Sequence, residues 1–216
     1  MPYGLYIQPE WGHYPKVDPL DGFDGPISAL NPVNDGGPGW SGRTGGVPVD
    51  GTHFPKRMRC LNSRGRPLPD FDEQLALNVS ARAKQVIETV EPGVHQFFGV
   101  NYLNTANAPL ESRFWLVVCN RIDAMAREHT NMVLLRGQVW RPADYMVSRG
   151  EPIPAHLDPT ERPRLVFSLS AIGNAHLWVD RHIDGPATWL SDAMAASFAE
   201  ANLTGLRLDQ SRVEAV

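Results

Sequence analysis

From Phe71 onward, apolar and polar positions fall into regular periods. Leu75, Leu77 and Val79 alternate with Ala76 and Asn78, which predicts a short strand. Ser80 then stands as N-cap before Ala81-Arg-Ala-Lys-Gln-Val-Ile-Glu-Thr-Val90, and Pro92-Gly93 ends that helix. Val94 to Leu103 reads as a strand carrying Phe97, Phe98, Val100 and Tyr102, and Asn104 to Ser112 as a turn. The unbroken apolar run in Arg113-Phe-Trp-Leu-Val-Val-Cys-Asn120 predicts a strand covered on both faces, at the centre of a sheet. Asn131 to Trp140 supplies another strand or two, and the four prolines between Arg149 and Pro163 mark a surface loop. Leu165 to Ser170 and His176 to His182 are strand-like. Ser191 caps a second helix, with Asp192 in its first turn and Met194 and Phe198 facing the core, before Thr204-Gly205 breaks to Leu206-Arg-Leu208. Strands with a few helices, lacking strict β-α alternation, predict an α+β fold with a mixed, mostly antiparallel sheet.

Residues 1 to 70 differ in kind. They hold 12 of the 19 Gly and 11 of the 19 Pro, with Trp11, Tyr14, Phe23, Trp40 and Phe54 between them. Proline removes backbone donors and glycine loosens the chain, so this stretch is expected to be a loop-rich arm of turns, short edge strands and aromatic plugs. The arm would pack on a main domain spanning residues 71 to 216. Charge divides in the same place. Between Met1 and Pro55 six acids face two bases, so the whole net charge of −4 resides there. That balance, with a pI near 6.0, gives no long-range attraction to nucleic acid or anionic lipid. The longest apolar run, Phe114 to Cys119, falls far short of the roughly 20 residues of a membrane helix. The first residues show neither a basic stretch nor a continuous apolar one, so a cytoplasmic protein is expected.

Candidate chemistry is sparse. Gly37-Pro-Gly-Trp-Ser-Gly42-Arg43-Thr44 has phosphate-loop spacing with Arg in place of Lys, but its Pro- and Gly-rich flanks offer neither the strand before nor the helix after that such a loop needs. His176, Asp180 and His182 share parity with Trp178, so on a strand two imidazoles and a carboxylate would project from one face and could approach a metal. This is the alternative of a metal-dependent hydrolase or oxygenase. Asp123 with Glu128, and Glu88 with Glu91, read as solvated carboxylates. Cys60 and Cys119, 59 residues apart, fit neither zinc spacing nor a disulfide framework and read as ordinary buried thiols. Trp115, Trp140, Trp178 and Trp189 are expected in the core, whereas Trp11 and Trp40 are candidate partner anchors.

The order of several segments resembles the Imm11 family of bacterial immunity proteins from polymorphic toxin systems. The matching pieces are Leu77-Asn-Val-Ser-Ala-Arg-Ala-Lys-Gln-Val-Ile87, Glu91-Pro-Gly-Val-His-Gln-Phe-Phe98 and Phe114-Trp-Leu-Val-Val-Cys-Asn-Arg-Ile-Asp-Ala124. His176-Leu-Trp178, Leu190-Ser-Asp192 and Leu203-Thr-Gly-Leu206 complete the series. The chain departs from the family pattern at Gly99, where Pro is frequent, and at Ala126, where a second acid is frequent. The resemblance implies a non-enzymatic inhibitor that binds a cognate toxin domain, without catalytic residue, metal or cofactor. An acidic, aromatic-bearing arm suits that role, with Trp11, Asp18, Asp21, Asp24, Asp35 and Trp40 as candidate toxin-binding residues. A third class is an adaptor whose arm docks on a secretion or phage assembly.

Overall fold

In a computed structural model of the chain, two helices grow from serine caps. The structure describes residues 1–8, 15–21, 46–49, 51–62, 67–73, 76–183, 188–210 and 213–216. Ser80 Oγ accepts a hydrogen bond from Ala83 N at 3.1 Å, starting α1 (Ala81–Val90), and Ser191 Oγ accepts from Met194 N at 3.2 Å, starting α4 (Asp192–Glu200). Each cap satisfies an N–H that the helix cannot pair internally. Ala83 and Ile87, four apart on α1, are fully buried, as are Met194 and Phe198 on α4.

These helices serve two sheets. The larger runs in the order β2 (Val17–Pro19), β3 (Arg57–Cys60), β6 (Gln96–Leu103), β7 (Pro109–Val117), β5 (Leu77–Ser80), β4 (Phe71–Glu73). The second runs β14 (Leu206–Asp209), β1 (Tyr3–Ile7), β13 (Thr188–Leu190), β12 (Leu177–Asp180), β8 (Arg121–Ile122). Pairing is antiparallel except between β3 and β6 and between β12 and β8. The α+β expectation therefore holds, and the apolar run after Arg113 is an interior strand, with Trp115 to Val118 all buried. Smaller pairs complete the described residues: β9 (Met132–Leu135) with β10 (Val139–Pro142), and β11 (Leu165–Phe167) parallel to β15 (Val213–Ala215).

One core gathers Leu5, Phe71, Val79, Leu116, Leu177, Val179 and Leu190 from both sheets around Ala83, Ile87, Met194 and Phe198 of the two helices. A second lies on the other face of the larger sheet, where Phe54 stacks between Phe98 and Trp115. A third centres on Phe167, which meets Trp178 edge-on and lies 4.7 Å from Trp189. Trp115, Trp140, Trp178 and Trp189 are all buried, as expected.

Three local expectations change. Among the residues before Phe71, β1 is not an edge strand: it is hydrogen-bonded on one side to β13 and on the other to β14, with Leu5 in the core. Leu165 to Ser170 is a strand only as far as Phe167. Ser168 then accepts from Ala171 N and caps the single turn α3 (Leu169–Ile172), because a serine side chain competes well for a turn's first N–H groups. The turn before Arg113 is also shorter than expected, β7 beginning at Pro109.

Gly205 ends the α4 connection in the left-handed region, at φ +81°, and a Cβ there would lie 2.2 Å from the carbonyl oxygen of Phe71. Gly205→Ala is expected to lower stability by about 2–4 kcal/mol, read as a fall in the urea midpoint with an unchanged slope.

Candidate functional site

The chain passes from the larger sheet to the smaller one at Cys119 and Asn120, between β7 and β8. A carboxylate is buried at this crossing. Glu91, the C-cap of α1, accepts from Asn120 Nδ2 (2.9 Å) and His176 N (3.1 Å) on Oε1, and from His95 Nε2 and Leu177 N (both 2.9 Å) on Oε2. His95 is itself oriented by Cys119 N, which donates to its Nδ1 at 3.2 Å and so leaves the ring proton on Nε2. Burial pushes the Glu91 pKa up, but the His95, His176 and Asn120 bonds outweigh it and hold the carboxyl below its ordinary value. The expectation of a solvated Glu91 is thus wrong: four donors from three segments replace its water.

Asp70 does similar work at the far end of α1. Its carboxylate accepts from Ser80 Oγ (2.6 Å), from Arg82 Nε (3.2 Å) and Nη2 (2.5 Å), and from Thr204 N and Oγ1. Burial again pushes up, and the bonds from Arg82, Ser80 and Thr204 again prevail, lowering the pKa. On the second core's face, fully buried Arg113 donates to Asn78 Oδ1 and to Asp70 O and lies 3.4 Å from Asp72, which also accepts from Tyr102 OH. Here desolvation prevails over the Arg113 charge and the Tyr102 bond, and the Asp72 pKa is raised to about 6.

The His176, Asp180 and His182 set is dispersed among separate partners. Asp180 accepts from Ala124 N, His182 N and Ile183 N, so its carboxylate shapes the backbone after β12. His176 Nδ1 meets Ser191 Oγ at 2.8 Å, whereas His182 Nδ1 meets Gln138 O at 2.9 Å. Among the described residues no group of three His, Cys, Asp or Glu is placed to hold a metal ion. Asp123 pairs with Arg127, and Glu128 is exposed. Cys60 is buried, and burial pushes up the pKa of half-buried Cys119. No helix among the described residues is long and apolar enough to cross a membrane.

The family model of the Imm11 immunity proteins matches residues 8–212. The chain belongs to the Imm11 immunity protein family. No curated protein matches it. Four of the segments that carried the resemblance meet in this Imm11 protein: His95, Asn120, His176 and Leu177 donate to the Glu91 carboxylate, Cys119 N orients His95, and Ser191 reaches His176.

Of the candidate toxin-binding residues, Asp18 is exposed on β2, and Asp21 accepts from Arg57 N at 2.9 Å while lying 3.6 Å from its Nε. Trp11, Asp24, Asp35 and Trp40 lie outside the described residues, as do Leu75 and the Gly37 to Thr44 segment. Sequence reasoning missed Asp70, Asp72, Glu91 and Arg113 as buried polar anchors. The available signal was Glu91 at a helix end, four residues before His95.

Glu91→Gln turns one acceptor oxygen into an amide facing two donors, so it is expected to cost about 2–4 kcal/mol in urea unfolding. Stability should also vary with pH in two opposed ways. Asp70 and Glu91, with lowered folded pKa values, contribute fully above the unfolded carboxyl range near pH 4 and lose their contribution as pH falls through their folded values. Asp72, raised from 3.8 to about 6, favours the folded state fully below pH 3.8, an advantage lost as pH rises through about 6. The urea midpoint is expected to rise from pH 7 to pH 5 and to fall below pH 4. Asp72→Asn should reduce the first change, leaving the share of Asp180, whose carboxyl is also pushed up by burial, and should leave the second.

Proposed function

We propose that this Imm11 protein is a cytoplasmic immunity protein of a bacterial polymorphic toxin system, neutralising its cognate toxin domain by stoichiometric binding. The family match across residues 8–212 carries this reading. The chemistry of the described residues supports it: Asp70, Asp180, Glu91 and Arg113 are spent on hydrogen bonds that hold segments together. Such a protein acts by covering a surface, and affinity comes from a few buried anchors inside a polar rim.

The acidic early part of the chain serves association. The negative charge of Asp18, Asp21, Asp24 and Asp35 steers a basic toxin surface, while Trp11 and Trp40 supply aromatic anchoring. The partner is a protein, with no role for nucleic acid, membrane, metal or cofactor.

The toxin domain encoded by the neighbouring reading frame should co-purify with this chain as a one-to-one complex, and co-expression should restore growth of cells making the toxin. Changing Asp18, Asp21, Asp24 and Asp35 together to Asn should slow association about tenfold at low salt and flatten its salt dependence in stopped-flow mixing. Unchanged kinetics would remove the steering role of these acids and leave immunity itself standing.

A further inference from the structure

Strand β11 is hydrogen-bonded on two sides, and the sides differ in what backs them. On one, Val166 O accepts from Ala126 N at 2.7 Å and Ser168 N donates to Ala124 O at 2.8 Å, with Met125 in register with Phe167. Ala124, Met125 and Ala126 are buried, and Met125 shares the third core with Phe167, so apolar packing reinforces those bonds. On the other side lies β15, parallel to β11, with Val166 against Glu214 and Phe167 against Ala215. There Val216 N donates to Phe167 O at 2.9 Å, and Val216 O accepts from Leu169 N at 2.8 Å.

Little but the main chain holds β15. Glu214 is exposed, Ala215 is half-buried and Val216 is 54% exposed, and none of the three is among the residues of the three apolar cores. Its side-chain tie among the described residues is the ion pair of Glu214 with Arg164 at 3.6 Å, and an ion pair with both groups about half exposed contributes little. Main-chain bonds alone are a weak hold, because opening exchanges them for bonds to water. The edge beneath is of the opposite character. Leu165-Val-Phe167 is a run of β-prone apolar residues without a charge, followed by Leu169 at 52% exposed. A bare edge of that kind is a template for another strand, whereas β15 presents a charged one in its place.

We infer that β15 is a detachable strap: it opens independently of the rest of the fold, and when closed it keeps the β11 edge from pairing with the same edge of a second copy. The second copy is the occupant because nothing charged stands within Leu165–Phe167 to oppose pairing of two such strands, and each supplies the donors and acceptors that the other has lost. This device does not depend on the immunity reading.

Amide hydrogen exchange of the full chain, followed residue by residue by NMR, tests the opening. Corrected for intrinsic rates, the Val216 and Leu169 amides should exchange at least about 100-fold faster than those of Ala126 and Ser168, and should not respond to low urea. Equal protection on the two sides of β11 overturns the strap. Val216 bonds to β11, so by alternation Glu214 does too, and Glu214→Pro removes one of these donors. It should speed Leu169 exchange about tenfold while the urea midpoint and the Ala126 amide stay unchanged. It should also strengthen self-association in sedimentation about tenfold or more over the wild type. Ala215→Pro, whose ring replaces an N–H on the outer side, should behave as the wild type. The gain in association should survive Val147→Asp, which removes a 50% exposed apolar side chain from α2 (Ala143–Ser148). Loss of the gain in that double variant assigns the contact to α2 and overturns pairing at β11. A Glu214→Pro chain that loses Ala126 protection and urea stability makes β15 part of the cooperative fold and overturns the strap. Faster Leu169 exchange without stronger association overturns the guarding role.

Discussion

The fold depends on one carboxylate placed where the chain changes sheets. Glu91 terminates α1 and collects donors from the approach to β6, from the end of β7 and from the start of β12. A charge in such a place is costly unless every lone pair is used, and here four hydrogen bonds use both oxygens. Apolar contacts between the sheets are non-directional and would tolerate sliding; the carboxylate does not. It sets the register of β12 against the crossing strand, and the apolar core shared by the two sheets closes around that register.

The same device recurs at Asp70, which ties the start of β4 to the cap of α1 and to Thr204 after α4. The two acids thus clamp α1 at both ends, and α1 packs against α4 in the core between the sheets. Asp72 and Arg113 are a different case. They lie on the opposite face of the larger sheet and are nearly solvent-free, and the ionised aspartate is imperfectly compensated there.

Much of this was legible in the sequence, and the limits have physical causes. Both serine caps were readable because a cap is a local interaction, decided within four residues. Interior β7 was readable because burial on both faces leaves an unbroken apolar run. Strand β1 was not, since five residues between prolines carry little periodicity and its neighbours lie almost 200 positions away. Asp70 and Asp72 were illegible for a related reason: an aspartate in sequence is the same letter whether water or Thr204 satisfies it. Conversely, the shared parity of His176, Asp180 and His182 was real as a pattern, but parity fixes only the side of a strand. The backbone amides after β12 took Asp180, and Ser191 and Gln138 took the rings.

The position of β1 bears on how the protein is made. Its hydrogen-bonding neighbours are residues 188–190 and 206–209, so β1 leaves the ribosome long before the strands it pairs with and has no partner until they follow. The smaller sheet closes late, and until then Leu5 and Tyr3 are unprotected. The interval between translation of β1 and closure of the smaller sheet is a window in which its apolar side chains are open to competing contacts.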